Sequence, residues 1–259
     1  MKHIKVKQTP CWVEWSTFFS SKKKRMKFSK LKTIGNFFLK IIMGFFLFSI
    51  LVVALLKWVD PPITSFMIRD QLEALSKKEK TTLRREWGDL KNISPSMQIA
   101  VIAAEDQNFS DHHGFDFEAI EKAIEHNQRS RRIRGASTIS QQVAKNLFLW
   151  SSRSFMRKGL EAYFTAVIEL LWSKKRILEV YLNTLELGKH TFGVEAASRL
   201  YFNTSAKRLT PGQAALLAAI LPNPHRFSAR NPSPYIMSRK YWILRQMELL
   251  GGSSYLKGL

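Results

Sequence analysis

Two adjacent carboxylates, Glu105 and Asp106, open the run Glu105-Asp106-Gln107-Asn108-Phe109-Ser110-Asp111-His112-His113-Gly114. An apolar run from Met97 to Ala104 leads into Glu105, so this residue ends an apolar helical face. Partial burial disfavours the charged form, raises the carboxyl pKa and suits it to proton transfer near neutral pH. A lone helix-end Glu is ordinarily an exposed acid, but Asp106, Phe109, His112 and Gly114 make this one less ordinary. The His112-His113 pair invites a metal reading, yet neighbouring histidines rarely ligate one ion without further ligands.

The second block runs Gly135-Ala136-Ser137-Thr138-Ile139-Ser140-Gln141-Gln142-Val143-Ala144-Lys145-Asn146. Gly135 permits close backbone approach to a ligand, and Ser137-Thr138 can cap a helix. Gln141, Gln142 and Lys145 then fall within about one turn. Amides bond sugar hydroxyls and acetamido groups, and a Lys neutralises phosphate. A carboxylate acid/base beside such a block suits chemistry on a sugar or a phosphate ester. Between the blocks lie Arg129, Arg131, Arg132 and Arg134, equally readable as a membrane-surface patch. Downstream, Arg157, Lys158 and Glu161 set two cations and a carboxylate a turn apart, and Lys174 to Asn183 joins a basic start to a polar stripe.

Helices must position these groups, and the fold class expected is mainly α. Ser94-Pro95 reads as a cap with Pro at the first helical position. Phe117, Ile120 and Ile124 recur at helical spacing after Asp116. Lys158 to Trp172 is amphipathic, Ser173 reads as the cap of Lys174–Asn183, and Thr210-Pro211 starts an Ala/Leu-rich helix that Leu221-Pro222 ends. Convincing strand alternation is absent.

Charge and hydropathy set the address. Residues 1–36 form a basic arm with ten Lys or Arg and one acid, Glu14. Ile41–Leu56 is about 24 Å long as a helix, and residues 37–59 with Lys40 and Lys57 snorkelling reach about 34 Å, enough to span a bilayer. The long basic arm and the lack of a small-x-small site argue against a cleaved signal peptide. The positive-inside bias keeps the arm in the cytoplasm and places residues 60–259, read as one domain, across the membrane. Lys22-Lys23-Lys24-Arg25 then suits anionic lipid headgroups better than nucleic acid. The one cysteine, Cys11, lies in the arm, so the exported domain has no disulfide. That domain keeps a net charge of about +10, which favours anionic membranes or substrates.

Taken in order, the blocks resemble the peptidoglycan glycosyltransferase family. Its Glu-Asp-x-x-Phe-x-x-His-x-Gly motif is met by Glu105 to Gly114, and Gly-x-Ser-Thr-Ile-x-Gln-Gln-x-x-Lys-Asn by Gly135 to Asn146. Arg-Lys-x-x-Glu is met by Arg157 to Glu161, and Lys-x-x-Ile-Leu-Glu-x-Tyr-Leu-Asn by Lys174 to Asn183, including Glu179 and Tyr181. The likeness runs on through Gly193, Ala196, Ala197, Tyr201 and Phe202 to Leu221-Pro222-Asn223-Pro224, covering about residues 60–250. Asn203-Thr204 departs from relatives that place a Lys there. Absence of the Lys-Thr-Gly block of bifunctional relatives matches the monofunctional, membrane-anchored form.

The resemblance implies a lysozyme-like helical domain behind one transmembrane helix, polymerising lipid II by inverting transfer with loss of undecaprenyl pyrophosphate. Glu105 would be the general base and Glu161 the second essential carboxylate. The implied substrate-binding set is Asp106, Phe109, His112, Gly135, Ser137, Thr138, Gln141, Gln142, Lys145, Asn146, Arg157, Lys158, Glu179, Tyr181 and Asn183. Glu161 has two open roles: placing the pyrophosphate through a divalent cation (Mg2+ or Mn2+), or orienting the basic residues. The implied location is the bacterial inner membrane with the catalytic domain on the periplasmic face. Implied partners are lipid II, the nascent glycan strand, the membrane and other cell-wall synthesis proteins, with no nucleic acid. Two rival readings are a lysozyme-like lytic transglycosylase or hydrolase, and a cationic membrane-tethered binding module.

Overall fold

The computed structural model describes residues 35–79, 82–130, 135–152 and 154–259. Most of the basic arm, with Cys11 and Lys22–Arg25, and Arg131, Arg132 and Arg134 of the inter-block loop lie outside the described residues. The chain divides into two units, Met1–Val52 and Val53–Leu259. Helix α1, Gly35–Leu55, is 21 residues long with a mean hydropathy of 2.6, long and apolar enough to cross a membrane. It ends four residues before the hydropathy boundary at Val59; Trp58 and Val59 belong to the turn that follows.

The second unit is built from α2 (Ser65–Ser76), α3 (Pro95–Glu105), α4 (Phe117–Arg129), α5 (Ile139–Phe148), α6 (Phe155–Leu171), α7 (Lys174–Thr184), α8 (Val194–Phe202), α9 (Pro211–Ile220) and α10 (Pro234–Leu249). Local capping chemistry sets the starts. The side chains of Ser94, Asp116, Ser154, Ser173 and Ser233 each accept a backbone N–H of the first turn. Thr138 and Thr210 form reciprocal capping boxes with Gln141 and Gln213.

The core lies where α3 and α10 pack on α9, and where α6 and α7 pack on α5. Residues 97–103 of α3 and 214–220 of α9 are buried throughout. A helix apolar on every side has no solvent face to offer and belongs inside. Emptying such a position, as in Ile102→Ala, costs about 2–5 kcal/mol.

Two details go beyond the sequence reading. A small sheet exists, with order β1-β3-β2: β1 (Arg84–Arg85) runs parallel to β3 (Thr191–Phe192), and β2 (Glu186–Gly188) antiparallel to it. Strands of two and three residues are too short to show alternation. In α4 the helical period is right but its apolar stripe does not enter the core: Phe117 is 76% and Ile124 54% exposed, and Ala123 is the buried residue.

Candidate active site

Glu105 is the last residue of α3, and three other helices converge on its carboxylate. From α5, Gln142 Nε2 donates to Glu105 Oε2 at 2.9 Å. From α7, Tyr181 Oη donates to Gln142 Oε1 at 3.3 Å. From α10, Arg239 Nη2 stands 3.8 Å from Glu105 Oε1. The Glu105 side chain is 18% exposed. Burial pushes its pKa up, and the Gln142 bond, Arg239 and Lys145 oppose that rise. The carboxyl is therefore poised for proton transfer, with Oε2 on the Gln142 amide and Oε1 facing Arg239.

Asp106 faces inward instead. Its Oδ1 meets His112 Nε2 at 2.8 Å and its Oδ2 accepts Ile139 N, at the start of α5, at 2.8 Å. His112 Nδ1 accepts Gly114 N at 3.1 Å, so the ring's Nε2 carries the proton toward Asp106. Thr138 Oγ1 donates to Gly114 O at 2.7 Å. Gly114 has φ +88°, and a Cβ there would lie 2.7 Å from Thr165 Cγ2, so only glycine fits. Lys174 Nζ donates to His112 O at 2.6 Å and to Glu169 Oε1 at 2.9 Å, over the ring of Phe109 at 4.6 Å. Glu169 also accepts Ser140 Oγ. This network locks the loop after Glu105 against the start of α5.

A band of cations lies beyond Gln142. Burial holds the Lys145 ammonium below its ordinary pKa, with Glu161 and Glu105 opposing, and its Nζ sits 5.5 Å from the Phe66 ring centre. Glu161, buried on α6, meets Arg157 Nη1 with one oxygen and Lys158 Nζ with the other. Among the described residues no group of three His, Cys, Asp or Glu side chains is placed to hold a metal ion. Both Glu161 oxygens are committed to cations, which fits the role of orienting basic residues and does not fit a preformed divalent-cation site.

The sequence-derived set thus separates. Glu105, Gly135 and Ser137 line a cavity of about 400 Å³ with Asp116, Trp242 and Gln246. Gln142, Lys145, Asn146 and Tyr181 line a groove with Phe66 and Glu186. Arg157 and Lys158 act beside Lys145 through Glu161. Several expected substrate contacts also hold the scaffold, and of these Asp106 and Thr138 line the same cavity as Glu105. Phe109 is fully buried, while Thr138 and Gln141 spend their side chains on the α5 cap. Asp106 and His112 pin the loop. Asn183 bonds both backbone groups of Gly88 at 2.8 and 2.9 Å. Glu179 holds Arg176 at 2.7 Å. Asn203 caps α8 in the left-handed conformation, which Asn tolerates better than Lys. Sequence reasoning missed Arg239, Trp242 and Gln246 on α10, Phe66 on α2, and Glu169. Of these only Glu169, five residues before the Lys174 block, had a local signal.

A mainly helical domain that sets one desolvated carboxylate between an amide and a band of cations suits glycosyl transfer. Residues 71–248 match the family model described as Transglycosylase. A biosynthetic peptidoglycan transglycosylase of Pseudomonas syringae pv. syringae is 52% identical over 229 residues, covering 88% of this chain and 97% of the relative. Proteins of the same name from Pseudomonas putida strain F1 (55%, 82% of this chain, 89% of the relative) and Stutzerimonas stutzeri (53%, 84% and 90%) are similar throughout. The chain belongs to the transglycosylase family.

Proposed function

We propose that this glycosyltransferase of peptidoglycan synthesis polymerises lipid II into linear β-1,4-linked glycan strands and releases undecaprenyl pyrophosphate. Glu105 takes the proton from the acceptor sugar's 4-hydroxyl. That oxygen forms a bond to the anomeric carbon of the growing chain as the bond to pyrophosphate breaks, inverting the centre. The proton then leaves Glu105 for solvent. Lys145, with Arg157 and Lys158 oriented by Glu161, stabilises the departing pyrophosphate electrostatically. Glu161 takes no proton in this scheme. The α1 anchor keeps the enzyme in the bacterial inner membrane, with the catalytic unit on the periplasmic face, where the lipid-linked substrate and other cell-wall synthesis proteins meet it.

One observation carries this reading: among the described residues at the site, Glu105 is a desolvated acid that an amide and two cations face, while the adjacent Asp106 is tied up in the fold. A glycosidase protonates a poor alkoxide leaving group and uses a second carboxylate a few ångströms away. Asp106, the adjacent acid, has both oxygens bonded within the fold. Pyrophosphate leaves as a stabilised anion and needs cations instead.

The test is incubation of the full-length protein with labelled lipid II. Polymer is expected, and intact lipid II with solubilised finished peptidoglycan would establish the hydrolase instead. Glu105→Gln should lower polymerisation by about 10²–10⁴-fold with lipid II binding retained. Full biological activity of that variant without polymerisation would favour the tethered binding module. Lys145→Ala should lower kcat by about 10²-fold, and normal turnover there would remove the leaving-group assignment.

A further inference from the structure

Gln142 can face Glu105 with either end of its amide. The nitrogen end donates to an ionised carboxylate, whereas the oxygen end repels it and favours the protonated form. The group behind the amide biases the choice: the Tyr181 hydroxyl can donate or accept, but among the described residues its proton has no acceptor other than Gln142 Oε1. Tyr181 is 1% exposed on α7, and burial with the nearby carboxylates pushes its phenol pKa well up. Its hydroxyl therefore keeps its proton throughout the working pH range. At 3.3 Å it donates to Gln142 Oε1, which turns Nε2 toward Glu105 at 2.9 Å.

We propose that Tyr181 is a positioning residue for the transfer step: acting through Gln142, it keeps the amide N–H on Glu105 Oε2 and leaves Oε1, which Arg239 approaches only to 3.8 Å, to take the acceptor hydroxyl. The inference rests on Glu105 as the base. The charged and titratable groups around that carboxylate are Asp106 beside it, Lys145 on α5, Tyr181 on α7 and Arg239 on α10. Among the influences that favour the ionised carboxylate, the Gln142 bond is the largest. Lys145 and Arg239 act at longer range, and Arg239 is held no closer than 3.8 Å. A short, oriented donor controls both the charge and the direction of the base, and its orientation is set from behind by the Tyr181 hydroxyl.

The experiment is lipid II turnover against pH for the full-length wild type, Tyr181→Phe, Gln142→Leu and the double variant. Tyr181→Phe frees the amide to flip, so Glu105 stays protonated to higher pH. Its acid limb should move up by about one pH unit, a roughly tenfold loss on that limb that recovers at the alkaline plateau. KM for lipid II should stay within about twofold. Gln142→Leu should show the same displacement, and the double variant should be no worse than Gln142→Leu alone. A KM increase with an unmoved pH profile would mean that Tyr181 touches substrate and would overturn the inference. So would a pH-independent fall, or additive losses in the double variant. Glu105→Gln separates the two layers. If it polymerises, the base assignment falls; if it is inactive while Tyr181→Phe keeps the wild-type profile, only the Tyr181 role falls.

Discussion

At the scale of single residues, the site sets two titratable groups against the solvent. Glu105 is held above its ordinary pKa and Lys145 below its own, each with burial as the leading cause. Each is more easily neutralised than in water, which suits a base that must accept a proton and a cation that must release its product. The raised Glu105 pKa also has a cost in stability. The ionised form is less favourable in the fold than in the unfolded chain, so the cost is absent below the unfolded carboxyl's pKa and complete above the folded one. Glu105→Gln removes it. That variant should be more stable than wild type at pH 8, by on the order of 1 kcal/mol, and the difference should vanish near pH 4. Denaturant titrations at the two pH values check this; an equal or lower stability at pH 8 would mean that the carboxylate is well compensated where it stands.

At the scale of elements, the decisive joint lies between the end of α3 and the start of α5. Asp106 and Thr138 tie them together through His112, Ile139 and Gly114. Thr138→Ala removes both the cap and the Gly114 bond and should lower stability by about 1–2 kcal/mol. Measured by thermal melting, it should lose more than Thr210→Ala, whose cap lies at an exposed position and holds no second loop. Helix starts were legible in the sequence because a cap is a local bargain between one side chain and the next three N–H groups. The Thr138-x-x-Gln141 spacing is that of a capping box, so the structural use of Gln141 has a local signal in the sequence. Other parts were not readable. Nothing local says which side of α4 meets the core, and Arg239 reaches Glu105 across 134 residues of chain only because α10 packs on α3.

At the scale of the molecule, the catalytic unit begins where the apolar helix stops, and it holds that beginning by its backbone. The last carbonyls of a helix lack intrahelical partners. Here a side chain takes one of them, and another takes carbonyls of the turn that follows. Trp172 Nε1 donates to Val53 O at 2.8 Å, and Arg176 Nη2 donates to Leu56 O at 3.0 Å and Val59 O at 2.9 Å. Arg176 also pairs with Asp60 and Glu179, and Arg85 donates to the carbonyls of Pro61 and Pro62. This gives Glu179 its place: it aims a guanidinium that gathers two carbonyls and a carboxylate at once. A Lys cannot match that fork, so Arg176→Lys should behave much like Arg176→Ala. Both should expose residues 56–62 to protease several-fold faster than wild type and lower stability by about 1–3 kcal/mol, the cost of leaving polar groups unpaired. Limited proteolysis with mapping of the first cut reads the effect directly. Unchanged cleavage in Arg176→Ala would show that Trp172 and Arg85 hold the segment without it, and a wild-type pattern in Arg176→Lys alone would mean that a single positive charge is enough.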